Sequence, residues 1–133
     1  MIRRRTIAFA VLGALLVAPL LNAAWAAAAH VPFSNEAFQK AQAAGKPILI
    51  DVYASWCPIC RAQQPILGEL TSQPKFKSLT VFRVDYDNQK EALRRFGVTK
   101  QSTLIVFKGA NEAGRIVGDS RREQIAALLD KAL

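Results

Sequence analysis

Apolar runs alternate with amphipathic stretches along residues 30–133, a pattern typical of a sheet covered by helices. The segment 47–54 is almost continuously apolar, which suits a strand buried on both faces, although Asp51 interrupts it. Further strands are predicted at 30–33, 79–84, 103–107 and 115–117, with a loop over 108–114.

Between these strands, apolar residues recur at helical spacing. Ser34 is a predicted N-cap, followed by a helix that ends near Gly45. Two further helices are predicted from Cys57 to about Thr71, with Pro65 inside, and from Gln89 to Phe96. The last helix is predicted to start with a Ser120–Glu123 capping box and to place Ile125, Leu128, Leu129 and Leu133 on its apolar face.

The resulting element order is a first short strand followed by αβαβαββα. Two β-α-β units predict parallel strands with right-handed crossovers, and the last two strands, joined by a short loop, predict an antiparallel pair. We therefore expect an α/β domain over residues 30–133, with a central mixed sheet of four to five strands and helices on both faces.

The first 26 residues have a different organisation from the rest. Arg3, Arg4 and Arg5 precede an apolar run from Ile7 to Leu21, and an Ala-rich stretch follows. This order predicts a secretory signal peptide over residues 1–26 with an approximate cleavage position. An uncleaved membrane anchor is the alternative, although 15 apolar residues fall short of the roughly 20 that a spanning helix needs.

The net charge and the distribution of basic residues add little to the expected function. The net charge is +8, and removal of residues 1–26 leaves 15 basic and 10 acidic residues, a net charge of +5. These cations are scattered rather than clustered with aromatic residues, so nucleic-acid binding is not expected. The single histidine, His30, argues against a histidine-rich metal site.

The candidate chemistry is a Cys-x-x-Cys at the start of the second helix. Cys57 and Cys60 are spaced so that their sulfurs can form a disulfide. The free N–H groups of a helix N-terminus favour a thiolate on the first cysteine. Cys57 is therefore predicted to attack disulfides, and Cys60 to resolve the mixed disulfide that forms.

Two other readings of the cysteine pair remain open. Half of a zinc site is one, but neither a second cysteine pair nor a suitably placed histidine supplies the remaining ligands. A structural disulfide is the other, but so short a loop gives little entropic stabilisation. Redox chemistry fits the pair better than either alternative.

Asp51 is an acidic residue in an otherwise apolar strand, six residues before Cys57. Burying an unpaired carboxylate is costly, so such residues are often functional. We predict that Asp51 donates and accepts a proton during the reaction. The alternative is a strand-end carboxylate that reaches water and pairs with Arg83.

The segment Asp51–Arg61, which reads DVYASWCPICR, with Pro65 after it, resembles the active-site segment of the thioredoxin family. Residues 96–98, 103–108 and 117–118 resemble later family segments, so that the resemblance covers nearly all of residues 33–133. It implies a thioredoxin fold with Cys57 as nucleophile, Cys60 as resolving thiol and Asp51 as buried acid. It also implies an active-site surface that includes Trp56, Pro58, Ile59, Gln101, Ser102 and Thr103.

The chain departs from the family pattern at two places. Pro58-Ile59 stands between the cysteines, where cytoplasmic thioredoxins have Gly-Pro. Ser102 stands where the family has a cis-proline that lies against the dithiol and pairs with substrate. We expect Ser102 to leave the dithiol more open, and hence more accessible to zinc or an iron–sulfur cluster, than a proline would.

Together these features predict a periplasmic or secreted thiol-disulfide oxidoreductase that reduces protein or peptide disulfides. No cofactor beyond the redox-active Cys57–Cys60 disulfide and no resident metal are expected. The expected electron donor is a membrane thiol-disulfide protein, and the chain is expected to be a monomer. The alternative function is a non-catalytic module that binds a partner or a metal through its dithiol.

Overall fold

The computed structural model describes residues 28–133, and the predicted signal peptide lies outside this range. Five strands form one sheet in the order β1-β3-β2-β4-β5. The strands are β1 (His30–Pro32), β2 (Pro47–Tyr53), β3 (Thr80–Asp85), β4 (Thr103–Lys108) and β5 (Asn111–Val117). The helices are α1 (Asn35–Ala43), α2 (Pro58–Thr71), α3 (Lys90–Phe96) and α4 (Arg122–Asp130), with a short 3₁₀ helix at Pro74–Phe76.

The mixed sheet and its connections are as predicted. β3 pairs in parallel with both β1 and β2, and β4 is antiparallel to β2 and β5. β2 lies at the centre, and five of its seven residues are buried, in agreement with its apolar sequence. The central position brings the carboxyl end of β2, and therefore the cysteine pair that follows, to the edge where α2 begins.

Two hydrophobic clusters cover the two faces of the sheet, as the alternation of strands and helices predicts. One contains α1 and α3 residues with five phenylalanines, many in edge-to-face contact: Phe33, Phe38, Phe82, Phe96 and Phe107. The other joins α2 and α4 to the opposite face through Leu49, Leu67, Leu104, Ile125 and Leu129. Helices on both faces hold β2 rigidly, and with it the site.

Helix ends follow the local sequence in two cases. Ser34 caps α1, where its Oγ accepts a hydrogen bond from the N–H of Ala37 at 3.1 Å. Gly97 ends α3 in the left-handed conformation with φ 62°, which a residue without Cβ adopts at little cost. The Ser34 cap and the end of α3 at Phe96 agree with the sequence-based prediction.

The predicted capping box at Ser120 and Glu123 is wrong. Arg121 occupies the N-cap of α4, and no side chain caps the helix. Asp119 Oδ1 instead accepts the N–H of Arg121 at 2.9 Å, in a turn that brings the chain into the helix. Leu133 is also misassigned, because it follows the helix and is exposed.

The predicted loop over 108–114 is also wrong for most of its length. β5 begins at Asn111, so that only Gly109 and Ala110 connect it to β4. β5 lies at the sheet edge and carries exposed polar residues, which explains why its sequence lacks the apolar run of a strand.

Within residues 28–133, the helices are too short or too polar to cross a membrane.

Candidate active site

The two cysteines lie at the junction of β2 and α2. Cys57 is the N-cap residue of α2, and its Sγ accepts a hydrogen bond from the backbone N–H of Cys60 at 3.1 Å. Both residues are free thiols, with 1% and 0% of their surface exposed. The geometry thus puts the first sulfur at the positive end of the helix and the second inside it.

Pro58 fills the first position of α2. A proline is well tolerated there because its missing N–H would have no partner within the helix. It also leaves the helix terminus with one N–H fewer to stabilise a thiolate at Cys57. The hydrogen bond from Cys60 is therefore the main stabilising contact that the structure gives the Cys57 sulfur.

The second sulfur lies in a less polar environment. Burial and the hydrogen bond with Cys57 raise the pKa of the Cys60 thiol to about 11, although backbone contacts of Ala54 and Ser102 oppose the shift. Cys60 is consequently a neutral thiol near pH 7. The arrangement makes Cys57 the sulfur suited to attack and Cys60 a thiol that must lose a proton before it reacts.

We expect iodoacetamide to modify one cysteine per chain in the folded, reduced protein at pH 8, and peptide mapping to place the label on Cys57. Because a raised pKa keeps Cys60 protonated, its labelling should increase only as the pH approaches about 11. Denatured protein, in which both thiols are accessible, should take two labels at pH 8. Labelling of Cys60 instead of Cys57 in the folded protein at pH 8 would show that Cys60 is the attacking thiol.

An exposed surface borders the cysteine pair. Trp56 is 55% exposed and Ile59 39% exposed, and Pro58 is exposed between the cysteines. The indole N–H of Trp56 donates to Asp87 Oδ2 at 2.9 Å, and the edge of Tyr86 lies against the indole ring. These contacts hold the indole of Trp56, the residue that directly precedes Cys57.

The Ser102 loop has an unusual backbone. The peptide bonds of the described residues are all trans, and Ser102 adopts φ 56°, the one positive φ among their non-glycine residues. Its N–H donates to the Val52 carbonyl at 2.9 Å, and the Cys60 sulfur lies 3.9 Å from the same carbonyl oxygen. The loop therefore packs next to the dithiol, as predicted.

Ser102 is only 3% exposed, and the two cysteines beside it are also buried. The trans, positive-φ backbone turns the serine N–H inward to the Val52 carbonyl, next to Cys60. That Ser102 leaves the dithiol more open than a proline would stays a prediction.

The neighbours of Ser102 differ in accessibility. Gln101 is half-buried, and its carbonyl accepts the Ser102 hydroxyl at 2.5 Å. Thr103 is buried and its hydroxyl donates to the Lys100 carbonyl at 2.7 Å. Among the predicted surface residues, Trp56, Pro58, Ile59 and Gln101 are thus open to a substrate, whereas Ser102 and Thr103 are covered.

Sequence reasoning missed Gln63. This α2 residue is fully buried, and its amide donates to the carbonyl oxygens of Ser102 at 3.3 Å and Asp119 at 2.9 Å. Gln63 thereby ties the helix that carries the cysteines to the Ser102 loop. A signal was present, since Gln63 lies three residues after Cys60 and four before Leu67, on the buried side of the helix.

Asp51 has no exposed surface, but it is not isolated. Its Oδ2 is 3.1 Å from Arg83 Nη2, 3.2 Å from Gln64 Nε2 and 3.2 Å from His30 Nε2. Oδ1 is buried and has no hydrogen-bond partner among the described residues. Burial of the carboxylate and its pairing with Arg83 are therefore both confirmed, the expectation that it reaches water is wrong, and its role in proton transfer stays a prediction.

Arg83 completes this polar cluster. Its guanidinium also contacts Gln64 Oε1 and stacks on Tyr53, 4.0 Å from the ring centre. The cation compensates the charge of a carboxylate that would otherwise be costly to bury. Asp51, Gln64, Arg83 and His30 are called the Asp51 cluster below.

The residues that the structure describes include no group of three or more His, Cys, Asp or Glu side chains placed to hold a metal ion.

Comparison with protein families gives one match across the described domain. A family model described as Thioredoxin matches residues 29–131. A thioredoxin from Alicyclobacillus acidocaldarius is 33% identical over 105 residues, which cover 79% of this chain and 99% of that protein. A thioredoxin H-type from Fagopyrum esculentum is 39% identical over 89 residues, covering 67% and 75% of the two chains.

Solved structures agree with these matches. The crystal structure of Trxlp from Edwardsiella tarda is similar with a TM-score of 0.74 and 42% identity, over 76% of this chain and 98% of that chain. Oxidised thioredoxin O2 from Arabidopsis thaliana gives a TM-score of 0.67 at 27% identity, over 77% and 92%.

Proposed function

The chain belongs to the thioredoxin family of thiol-disulfide oxidoreductases, and we propose that it reduces protein disulfides in the periplasm through Cys57 and Cys60. The observation that carries the proposal is the difference between the two sulfurs. The Cys57 sulfur lies at the helix N-terminus and accepts an N–H, whereas the pKa of Cys60 is raised to about 11. A first sulfur that receives a hydrogen bond and a second that stays a neutral thiol suit a two-step exchange.

In the first step, the Cys57 thiolate attacks one sulfur of a substrate disulfide. A bond forms between Cys57 Sγ and that sulfur, and the other substrate sulfur leaves as a thiolate, which takes a proton from water. The exposed Trp56, Pro58 and Ile59 offer an apolar surface on which the substrate can rest during the attack.

In the second step, Cys60 loses its proton and attacks Cys57 Sγ. The Cys57–Cys60 disulfide forms and the second substrate thiolate leaves, so that the substrate gains the two electrons that the dithiol loses. Asp51 is the proposed proton acceptor, because it lies on β2 next to Val52, whose carbonyl contacts Cys60. A fresh dithiol donor must then reduce the protein, and a membrane thiol-disulfide protein is proposed for that role.

The direction of the reaction depends on how strongly the reduced form is stabilised. Strong dithiol oxidants owe their potential to a stabilised reduced state. Here Pro58 removes one helix N–H, and the Cys57 sulfur accepts a hydrogen bond from Cys60. This modest stabilisation favours a reductase over an oxidase.

We expect the Cys57–Cys60 pair to have a reduction potential close to the roughly −270 mV of reducing thioredoxins, not the roughly −120 mV of strong oxidants. Equilibration with glutathione or dithiothreitol buffers, followed by thiol trapping and mass measurement, gives this value. A potential near that of the strong oxidants would overturn the proposed direction while leaving the exchange chemistry in place.

The location rests on the sequence of residues 1–26. A basic start, an apolar run and an Ala-rich end make up the pattern of an export signal. Because dithiol proteins in an oxidising compartment must be re-reduced to act as reductants, this location also requires the membrane electron donor. Among the described residues, no observation specifically favours the alternative function, a non-catalytic module that binds a partner or a metal through its dithiol.

A further inference from the structure

His30 is a titratable residue that the proposed reaction does not yet use. It is the first residue of β1, and its imidazole Nε2 lies 3.2 Å from Asp51 Oδ2 and 3.2 Å from Arg83 Nη2. The side chain is 32% exposed, whereas the Asp51 side chain is fully buried. His30 therefore joins the buried carboxylate to the solvent.

Proton exchange at Asp51 needs such a connection. The proton that Cys60 gives to Asp51 reaches the solvent only through a neighbouring group, because the carboxylate itself does not reach water, and Cys60 takes up a proton again when the disulfide is re-reduced. Its other contacts are Gln64, which is neutral and does not titrate, and Arg83, which stays protonated. Among the described residues in contact with Asp51, His30 alone has a side chain that can act both as a proton acceptor and as a proton donor.

The charges around the imidazole come from three elements. Asp51 on β2 is the anion that faces it, Arg83 on β3 is the cation, and Gln64 on α2, which contacts both, is neutral. Nε2 can donate to the carboxylate in one tautomer and accept from the guanidinium in the other. A proton relay requires such a nitrogen, which can act both as a hydrogen-bond donor and as an acceptor.

The position of the cluster relative to the dithiol supports the connection. Gln64 follows Cys60 by four residues, so that the two share one side of α2, and Gln64 Nε2 donates to Asp51. Asp51 therefore lies beneath the helix face that carries the resolving cysteine. His30 approaches the same carboxylate from the opposite side of β3, through the parallel pairing of β1 with β3.

We infer that His30 is the proton exit of the resolving step, acting through Asp51. Before Cys60 attacks, its proton passes to Asp51, and the carboxyl proton then moves to Nε2 of His30 while the proton on Nδ1 leaves to water, so that Cys60 is left as the attacking thiolate. No electrons move in this transfer. The ring returns to its first tautomer when the Nε2 proton is lost to water and Nδ1 takes one up. The inference rests on the proposed function, in which Asp51 accepts the Cys60 proton.

The test is a stopped-flow reaction of the reduced protein with excess 5,5′-dithiobis(2-nitrobenzoate). Attack by Cys57 releases one thionitrobenzoate, and attack by Cys60 on the resulting mixed disulfide releases a second, so the two steps appear as separate phases. In His30→Gln the first phase should keep its rate, because it needs no proton from Cys60. The second should slow by about 100-fold, the lower end of the range for a positioned proton-transfer group.

A further readout separates a relay from a structural role. Added imidazole should restore the second phase of His30→Gln, because it can accept and release the proton in place of the missing ring. Val31→Ala, which alters the exposed neighbour of His30 on β1, is the matched control and should behave as the parent.

An unchanged second phase in His30→Gln, or a slow phase that imidazole does not restore, would overturn the relay. The proposed function fails in a different way. Its failure would show as the absence of a first phase, or as release of one thionitrobenzoate per chain in the parent.

Discussion

Replacing Cys57 by Ser is expected to lower the rate of protein-disulfide reduction to the uncatalysed background. The hydroxyl that replaces the sulfur is not ionised near pH 7 and cannot form a disulfide, so the first exchange is lost. The remaining Cys60 cannot take over, because desolvation by burial, the largest cause of its raised pKa, persists in the variant and keeps it a neutral thiol. Insulin reduction, with dithiothreitol as electron donor and turbidity as the signal, measures the loss.

The fold should survive this substitution, which makes the activity result interpretable. Serine is a preferred N-cap residue, so it can accept the Cys60 N–H at the start of α2. A thermal unfolding curve close to that of the parent is the control. Substantial insulin reduction by a well-folded Cys57→Ser protein would mean that the reaction does not begin at Cys57.

Replacing Ser102 by Pro is expected to lower the free energy of unfolding by about 3 kcal/mol or more. Proline holds φ near −65°, whereas this position has φ 56°, so the present loop cannot accommodate the ring. The substitution also removes the N–H that donates to the Val52 carbonyl at 2.9 Å. Urea unfolding, monitored by tryptophan fluorescence, measures the change.

Ser102→Gly is the matched control, because glycine adopts a positive φ readily. Its stability should stay within about 1 kcal/mol of the parent, since relief of backbone strain offsets the lost hydroxyl contact with Gln101. A Ser102→Pro protein as stable as the parent would show that the loop re-forms around proline and that the positive φ is not required by the rest of the chain.

Most of the fold could be predicted because apolar runs and helix-capping residues in the local sequence indicate its strands and helices. β2 and β4 are buried on both faces and read as apolar runs, and α1 and α3 carry a recognisable serine cap and a terminal glycine. β5 could not be predicted over its full length, because an edge strand with solvent on one side tolerates polar residues such as Asn111 and Glu112.

The site was predictable where chemistry depends on spacing along the chain. The Cys-x-x-Cys at a helix start and the acid in β2 are both visible in the sequence. Pairing of Asp51 with Arg83 was one of the alternatives from the sequence, but the contact with His30 was not predicted, because it joins residues 21 positions apart through strand pairing. The inward turn of Ser102 depends on a backbone angle that residue identity alone does not determine.

In the proposed mechanism, Cys57 attacks the substrate disulfide first, and Cys60 then resolves the mixed disulfide. The most direct measurement compares covalent adducts of Cys57→Ser and Cys60→Ser with insulin, by mass spectrometry under non-reducing conditions. Cys60→Ser should accumulate a mixed disulfide, because it lacks the resolving thiol, and Cys57→Ser should form none. An adduct that accumulates on Cys57→Ser but not on Cys60→Ser would contradict the account.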